Sequence, residues 1–230
     1  MEIQTIKGRI EQKEQIAENT FSIKIVNNDG SAFDFKPGQF ITLIIAPGVR
    51  RSYSVASTPG KNYIELIGDT VRGGPGSQFF LNSKVGDEVE FLFPLGNFFY
   101  VESEKPAYFF CTGTGIVPFM SMVEYALTIL NSPRELTLYS GFRFQEDIIG
   151  DGLLKMLDIR FENFRYMINL TQPPEGYDGP VGRITQYIEK LENTDIEVYI
   201  CGSNQMVLDV KEKLIAKGVP AEQIHHEMFY

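Results

Sequence analysis

The sequence predicts two domains of different classes: an antiparallel β-barrel or sandwich over residues 1–101 and a doubly wound, five-stranded parallel α/β domain over residues 102–230. In the first part, short segments of alternating apolar and polar residues are separated by Gly- and Pro-containing turns, which is typical of small antiparallel β folds. After residue 102 the pattern changes to βαβαβαβαβ, which predicts a parallel sheet with helices on its faces. The short, charged segment 102–105 is the expected domain boundary.

The strands of the first domain are predicted from this alternation and from the turns between them. Phe21, Ile23 and Ile25 alternate with polar neighbours, which is the period-2 pattern of a strand with one solvated face. Ser77 is expected to cap a short helix that carries Phe79. Further strands are expected over residues 40–46, 51–56, 64–66 and 88–93, with turns at 33–39, 47–48, 73–77 and 94–96.

The elements of the second domain are predicted from apolar runs that alternate with amphipathic segments of helical period. Strands are expected at 107–111, 135–140, 164–170, 196–201 and 224–229. Helices are expected near 118–130, 146–158, 183–193 and 204–217.

The composition argues against several classes of partner and site. The net charge of −9 at pH 7 argues against nucleic acid or an anionic membrane surface as the default partner. The two cysteines cannot form a disulfide framework or supply a four-cysteine iron–sulfur site. The chain begins without the pattern of a secretion signal, and the apolar segment 109–130 is interrupted by glycines, a proline and a glutamate. We therefore expect a cytoplasmic protein without a membrane span.

A glycine-containing turn joins the first strand and the first helix of the second domain. Residues 111–118 read Cys-Thr-Gly-Thr-Gly-Ile-Val-Pro and follow an apolar run. A strand, a glycine turn and a helix in this order aim free backbone N–H groups at a phosphate, and Gly113 and Gly115 permit close approach of a ligand. Pro118 suits the first helical turn. The alternative is an ordinary strand-to-helix turn.

A second candidate site lies at residues 51–57, which read Arg-Ser-Tyr-Ser-Val-Ala-Ser. An arginine, an aromatic ring and a hydroxyl group at alternate positions of a strand are expected on one face. A guanidinium can hold a phosphate through two hydrogen bonds, and a ring can lie against a flat heterocycle. The loop 73–77, Gly-Gly-Pro-Gly-Ser, offers further N–H groups and a hydroxyl. The alternative is a polar strand edge that faces solvent.

These motifs follow one another in an order that resembles the flavin and pyridine-nucleotide module of the ferredoxin–NADP⁺ reductase superfamily. The resemblance implies an FAD-binding barrel, an NAD(P)-binding domain, and an oxidoreductase that moves a hydride from NAD(P)H to flavin N5. It extends from about Gly8 to the C-terminus. It rests on the ordered blocks Phe35-Lys-Pro-Gly-Gln39, Arg51-x-Tyr-Ser54, Gly74-x-x-Ser77, Gly86-Asp87, Pro94-x-Gly96, Thr112-Gly-Thr-Gly-Ile116, Cys201-Gly202 and Glu227-x-Phe229.

The resemblance also implies roles for individual residues on the flavin. Arg51 is expected to hold the flavin diphosphate, Tyr53 to pack beside the isoalloxazine ring and ribityl chain, and Ser54 to face N5. Gly74 and Ser77 are expected to bind the diphosphate at a helix N-terminus.

A further set of residues is implied for the nicotinamide dinucleotide. The turn 113–115 is expected to receive its diphosphate, with Thr112 close to the flavin. Cys201 is expected near nicotinamide C4, and Glu227 in the polar network at the flavin edge. The implied catalytic and nucleotide-binding residues of this domain are Thr112, Gly113, Thr114, Gly115, Cys201, Gly202 and Glu227.

The chain departs from the family pattern at Cys111, where many relatives have a small residue. Because the family places the first and fourth strands side by side, Cys111 and Cys201 are expected at adjacent strand ends, about 4.8 Å apart. We expect reduced, buried thiols, with a disulfide as the alternative. Phe229 and Tyr230 are counted among the cofactor-binding residues, because terminal aromatic rings in this family often cover the flavin; Phe229 is alternatively a core residue.

The two histidines do not predict a metal site. His225 and His226 are adjacent on a predicted strand and therefore point to opposite faces. No metal ligand set is expected.

The choice of nucleotide and of electron acceptor is less constrained. NADPH-specific relatives often carry a Ser-Arg pair at the position where residues 169–174 of this chain read Asn-Leu-Thr-Gln-Pro-Pro. Because this segment has no cation, NADH is the favoured nucleotide. Arg143 and Arg183 are the alternative candidates for binding the 2′-phosphate of NADPH. The acceptor is expected to be external: a ferredoxin, a flavodoxin, a haem protein or free flavin. The alternatives are an electron-transfer subunit of a larger complex and a flavin reductase that uses free flavin as substrate.

Overall fold

The fold was analysed in a computed structural model that describes residues 2–229; Tyr230 lies outside them. Two compact units are present. One comprises the residues up to Tyr100 together with Val117–Tyr125, and the other comprises Val101–Ile116 together with the residues from Ala126 onward. The segment Val117–Tyr125 therefore belongs to the first unit, although it follows the 102–105 segment in sequence.

The first unit is an antiparallel sheet that closes on itself. Its six strands lie in the order β4-β3-β6-β1-β2-β5. A bridge between Val55, just after β4, and Leu66 of β5 joins the two edges, which makes the sheet a barrel. The elements are β1 (Gln4–Ala17), β2 (Thr20–Asn27), β3 (Phe40–Ala46), β4 (Val49–Ser54), β5 (Tyr63–Asp69), α1 (Pro75–Asn82) and β6 (Glu88–Leu95).

The longest strand of the barrel, β1, was not among the predicted strands. The part of β1 that follows Ile10 is mostly polar and exposed, so that it shows no alternation of apolar and polar residues. Pairing with β2 on one side and β6 on the other holds it in the sheet, and only Gly8 and Ile10 are buried. The extended conformation of β1 therefore depends on pairing with β2 and β6 and not on an alternation of apolar and polar residues in its own sequence.

The predicted capping role of Ser77 is wrong. Gly74 is the N-cap residue of α1 and Pro75 follows it directly. Proline is favoured at the first helical position, because its φ angle is already helical and it has no N–H group to leave unpaired. Ser77 lies inside the first turn, where its hydroxyl donates to the Asp69 carbonyl oxygen at 3.4 Å.

The second unit contains the predicted parallel sheet. Its five strands lie in the order β11-β10-β7-β8-β9, and all four pairings are parallel. The strands are β7 (Ala107–Thr112), β8 (Leu136–Phe142), β9 (Phe164–Leu170), β10 (Glu197–Ser203) and β11 (Ile224–Phe229). Its helices are α3 (Asp151–Arg160) and α4 (Asn204–Lys217), whereas α2 (Val117–Thr128) lies in the first unit as far as Tyr125. The fold class is therefore confirmed.

Two of the predicted helices differ from those observed. α3 begins at Asp151 and not near 146, because Gly150 has a φ of +78° and interrupts the helical path. The segment predicted as a helix over 183–193 is a 3₁₀ helix over Ile184–Lys190. Its buried residues Ile184, Tyr187 and Ile188 pack into the same core cluster as the apolar face of α4.

No helix among residues 2–229 is long and apolar enough to cross a membrane.

Candidate functional site

Strand β4 and the first turn of α1 meet in the first unit. The Tyr53 ring packs edge-on against Phe80 of α1, with ring centroids 5.1 Å apart. A Cβ atom on Gly76 would lie 2.1 Å from the Tyr53 hydroxyl oxygen and 3.5 Å from Cγ of Arg51. Gly76 of α1 therefore lies against the end of the Tyr53 side chain and near the stem of Arg51, and a larger residue there would displace the Tyr53 hydroxyl. Burial raises the pKa of Tyr53 to about 12, so that its hydroxyl is protonated at neutral pH.

This arrangement suits an anion. Arg51 is exposed, and its Nη1 donates to the Arg50 carbonyl oxygen at 2.7 Å, which orients the guanidinium. The N–H groups in the first turn of a helix have no intrahelical partner, and the helix dipole favours negative charge there. Gly74 and Gly76 leave this turn of α1 without bulky side chains. An arginine whose side-chain stem lies near a helix N-terminus can bring its guanidinium to a diphosphate bound at that turn.

Ser54 does not share the face of Arg51 and Tyr53. In the β3–β4 ladder Leu43 pairs with Arg51 and Ile41 with Tyr53, whereas Ser54 pairs with Phe40. Successive side chains of a strand point to opposite faces, so the expectation that the arginine, the ring and the hydroxyl lie on one face is wrong for Ser54. Ser54 is buried.

The glycine turn of the second unit has the predicted strand–turn–helix form. β7 ends at Thr112, a 3₁₀ turn covers Gly113–Ile116, and Pro118 is the second residue of α2. Gly113 has a φ of +54° and open space around its Cα. A Cβ atom on Gly115 would lie only 2.3 Å from the carbonyl oxygen of Cys201, so this part of the turn rests on the backbone of β10.

Thr112 and Gly202 lie against each other at the same end of the sheet. A Cβ atom on Gly202, whose φ is +143°, would lie 2.5 Å from Oγ1 of Thr112. The Ser203 N–H group donates to that oxygen at 3.4 Å. The structure therefore brings the proposed nucleotide residues 112–115 and 201–202 together, with Thr114 half-buried.

Glu227, Cys201 and Cys111 form a row across three neighbouring strands. Cys201 of β10 is directly paired with Glu227 of β11 and with Cys111 of β7, and Ser140 of β8 continues the row. Both cysteines are buried and free. Burial raises the pKa of Cys111 to about 12. Burial also raises the pKa of Cys201, and the nearby Glu227 carboxylate and Cys111 thiol raise it further. The predicted adjacency of the two cysteines is confirmed.

The end of β11 carries the remaining candidates. Phe229 pairs with Ser203 and is half-buried, and its role in covering a cofactor stays a prediction. Tyr230 lies outside the described residues. His225 faces Glu197, with 2.8 Å between Nε2 and Oε2, and its ring stacks on Tyr199 with a centroid distance of 4.9 Å. No cluster of three or more metal-binding side chains occurs within residues 2–229.

Sequence reasoning missed one contact at the carboxyl edge of the sheet. Nε of Arg143 donates to Oε1 of Gln172 at 3.2 Å, which joins the loop after β8 to the loop after β9. Asn169 is fully buried and accepts a hydrogen bond from the Tyr187 hydroxyl at 3.0 Å, so it is a structural residue. Arg183 immediately precedes the 3₁₀ helix. No spacing in the sequence indicates the Arg143–Gln172 pair.

Comparison with known proteins agrees with this architecture. Residues 7–100 match the oxidoreductase FAD-binding domain family, and residues 109–212 match the oxidoreductase NAD-binding domain family. The chain is 29% identical to the toluate 1,2-dioxygenase electron transfer component of Pseudomonas putida over 97% of this chain and 67% of that protein. The solved structure of the Amycolatopsis cytochrome P450 reductase GcoB superposes with a TM-score of 0.90 at 25% identity, covering 99% of this chain and 70% of that one.

A curated relative extends the similarity over most of both chains. Ferredoxin–NADP reductase B of Sorangium cellulosum is 32% identical over 87% of this chain and 88% of its own length. Together with the two domain matches, this shows that the chain belongs to the ferredoxin–NADP reductase superfamily and is an FAD-dependent NAD(P)H oxidoreductase.

Proposed function

We propose that residues 1–101 bind FAD, that residues 102–230 bind the nicotinamide dinucleotide, and that the reduced protein passes electrons to a separate acceptor protein. The observation that carries the FAD assignment is the contact of Arg51 and Tyr53 with the N-terminal turn of α1 at Gly76. FAD supplies the chemistry that accepts a hydride and releases electrons singly or in pairs. The chain's own residues bind and orient the two cofactors.

On this proposal each group has a defined task. Arg51 and the N–H groups of α1 neutralise the FAD diphosphate, and Tyr53 packs beside the flavin as a neutral phenol. The turn 113–115 receives the dinucleotide diphosphate. Cys201 and Glu227 position the nicotinamide, where small displacements cost rate because hydride transfer needs near contact of the reacting atoms. Ser54 is proposed to face flavin N5 from the end of β4, of which it is the last residue.

The proposed FAD site is tested by Arg51→Gln, with Arg50→Gln as the matched control. Both residues are exposed and the change in charge is identical, but Arg51 lies near Gly76 of α1, whereas Arg50 is the preceding residue of β4 and points to the opposite face of the strand. A hydrogen bond to a charged group contributes about 1.5–3 kcal/mol, so the Kd for FAD measured by flavin fluorescence is expected to rise about ten- to a hundredfold in Arg51→Gln. Equal FAD affinity in the two variants would contradict the proposed diphosphate site.

We further propose a preference for NADH over NADPH. Residues 169–174 contain no cation, and the nearby Arg143 donates to Gln172. Gln172→Arg should add a cation at this edge and shift the kcat/KM ratio about tenfold towards NADPH, which corresponds to about 1.4 kcal/mol. Gln12→Arg, on β1 of the first unit, makes the same change in charge and serves as the control. A wild-type kcat/KM that favours NADPH more than tenfold contradicts the preference.

The acceptor class is proposed from the relatives. Their names identify electron transfer components of dioxygenase systems and a ferredoxin–NADP reductase. We therefore propose a small redox protein as acceptor, with NAD(P)H supplied in the cytoplasm. A subunit of a larger complex would co-elute with its partners from native extract in size-exclusion chromatography. A flavin reductase would lose its yellow colour on desalting and turn over only with added free flavin.

A further inference from the structure

Cys111 and Cys201 place two thiols side by side at the carboxyl end of two parallel strands. They are paired directly in the register of β7 and β10, so both side chains leave the same face of the sheet. Both are 0% exposed and neither forms a disulfide. The proposed hydride transfer gives Cys201 a positioning task but gives Cys111 none.

Each thiol alone is a poor target for a reagent that forms one bond. Burial raises the pKa of both sulfurs, so both are neutral at pH 7, and the thiolate is the reactive form. A reagent that bonds to two sulfurs is different, because the first bond makes the second one intramolecular and raises the effective concentration of the second thiol. The register of the two strands favours this second class of reagent.

We propose that Cys111 and Cys201 together form a dithiol site that binds monosubstituted trivalent arsenicals of the form R–As=O. Two arsenic–sulfur bonds form and the arsenic–oxygen double bond breaks. The oxygen leaves as water with the two thiol protons. Arsenic stays trivalent, and no electrons are transferred, so no oxidant or reductant is needed.

Access to the site is through the carboxyl edge of the sheet. Cys111 is followed by the half-buried Thr112, and Cys201 by Gly202, which has no side chain, and then by the exposed Ser203. On β10 the first exposed residue therefore lies two positions beyond Cys201. Because both sulfurs are fully buried in paired strands, the reagent reaches them only in a locally opened state, so the reaction is expected to need prolonged incubation.

The probe is phenylarsine oxide, added to the FAD-loaded protein, with intact-mass spectrometry and thiol titration after denaturation as readouts. We expect one phenylarsenic group per chain and a fall in titratable thiols from two to none. Dithiothreitol should remove the group, whereas glutathione, a monothiol, at the same thiol concentration should not. Iodoacetamide should label the native protein slowly, because it gains nothing from the second thiol.

Single replacements separate chelation from ordinary thiol reactivity. Cys111→Ala and Cys201→Ala each leave one thiol, and both variants should lose the arsenical on desalting in the presence of glutathione. Ser140→Ala is the matched control, since Ser140 is buried next to Cys111 in the same row but is not a thiol. It should retain the group like the wild type. Circular dichroism and FAD content check that each variant is folded.

Two results would overturn the proposal. One is a wild-type protein that still shows both thiols after prolonged incubation with the arsenical. The other is a single-cysteine variant that keeps the group against glutathione as well as the wild type does. Neither result bears on the hydride-transfer proposal, because the mass and thiol readouts do not use the reductase activity.

Discussion

Replacement of Gly115 by alanine is expected to slow reduction by NADH about a hundredfold while FAD stays bound. The added Cβ would lie 2.3 Å from the Cys201 carbonyl oxygen, 2.6 Å from its carbonyl carbon and 2.8 Å from Cα of Gly202. All three are backbone atoms of β10, which is paired on both sides by β11 and β7. Such atoms cannot yield as a flexible side chain would. Since ordinary contact begins near 3.4 Å, the turn must move by about 1 Å.

The magnitude follows from this displacement. A misplacement of about 1 Å at a site that orients reacting groups costs about a hundredfold in rate, or about 2.7 kcal/mol. Overpacking of a close contact also costs about 1–3 kcal/mol of folding free energy. For a chain of this size each kcal/mol lowers the Tm by about 2–4 °C. The variant is therefore expected to be folded at room temperature but much slower.

The assay is stopped-flow bleaching of the oxidised flavin by NADH under anaerobic conditions, with FAD content measured first. Gly152→Ala is the matched control, because Gly152 lies in α3 with nothing within 4 Å of the added Cβ and an ordinary φ. Alanine is the better helix former there, so this variant should be as active as the wild type and slightly more stable. Bleaching of Gly115→Ala at the wild-type rate would refute the close-contact reasoning.

Three further predictions concern stability. Ser121→Ala removes the donor of the buried 2.7 Å hydrogen bond to the Ser57 carbonyl oxygen and should lower the free energy of unfolding by about 1–3 kcal/mol in urea titration, whereas an unchanged midpoint would contradict it. Tyr187→Phe removes the donor to the buried Asn169 oxygen and should cost a similar amount. The pKa of Tyr53 is raised from 10.0 to about 12, so its stabilising contribution is complete below pH 10 and is lost as the pH rises towards 12. The Tm should fall over that range, and less so in Tyr53→Phe.

The sequence predicts those elements whose own residues carry the signal. Alternation identified β2, and the apolar runs identified all five parallel strands to within two residues at each end. β1 was missed because its outer half is polar and its partners on both sides hold it in place. Helix α3 begins later than predicted because Gly150 adopts a positive φ, and no local sequence pattern indicates that conformation. Contacts between distant segments, such as that of Tyr53 with Gly76, depend on the tertiary fold and could not be predicted from the sequence pattern.

The two proposed diphosphate sites share one construction. In each, a glycine lies in close contact with a neighbouring strand or its side chain: Gly76 lies against the Tyr53 side chain of β4, and Gly115 lies against the Cys201 backbone of β10. The two glycines thus allow each proposed diphosphate-binding turn to pack closely against the strand that carries the functional side chains. Gly48, by contrast, has a positive φ but open space around it. Alanine at Gly48 should therefore cost only folding free energy, whereas alanine at Gly76 or Gly115 should impair cofactor binding or turnover as well.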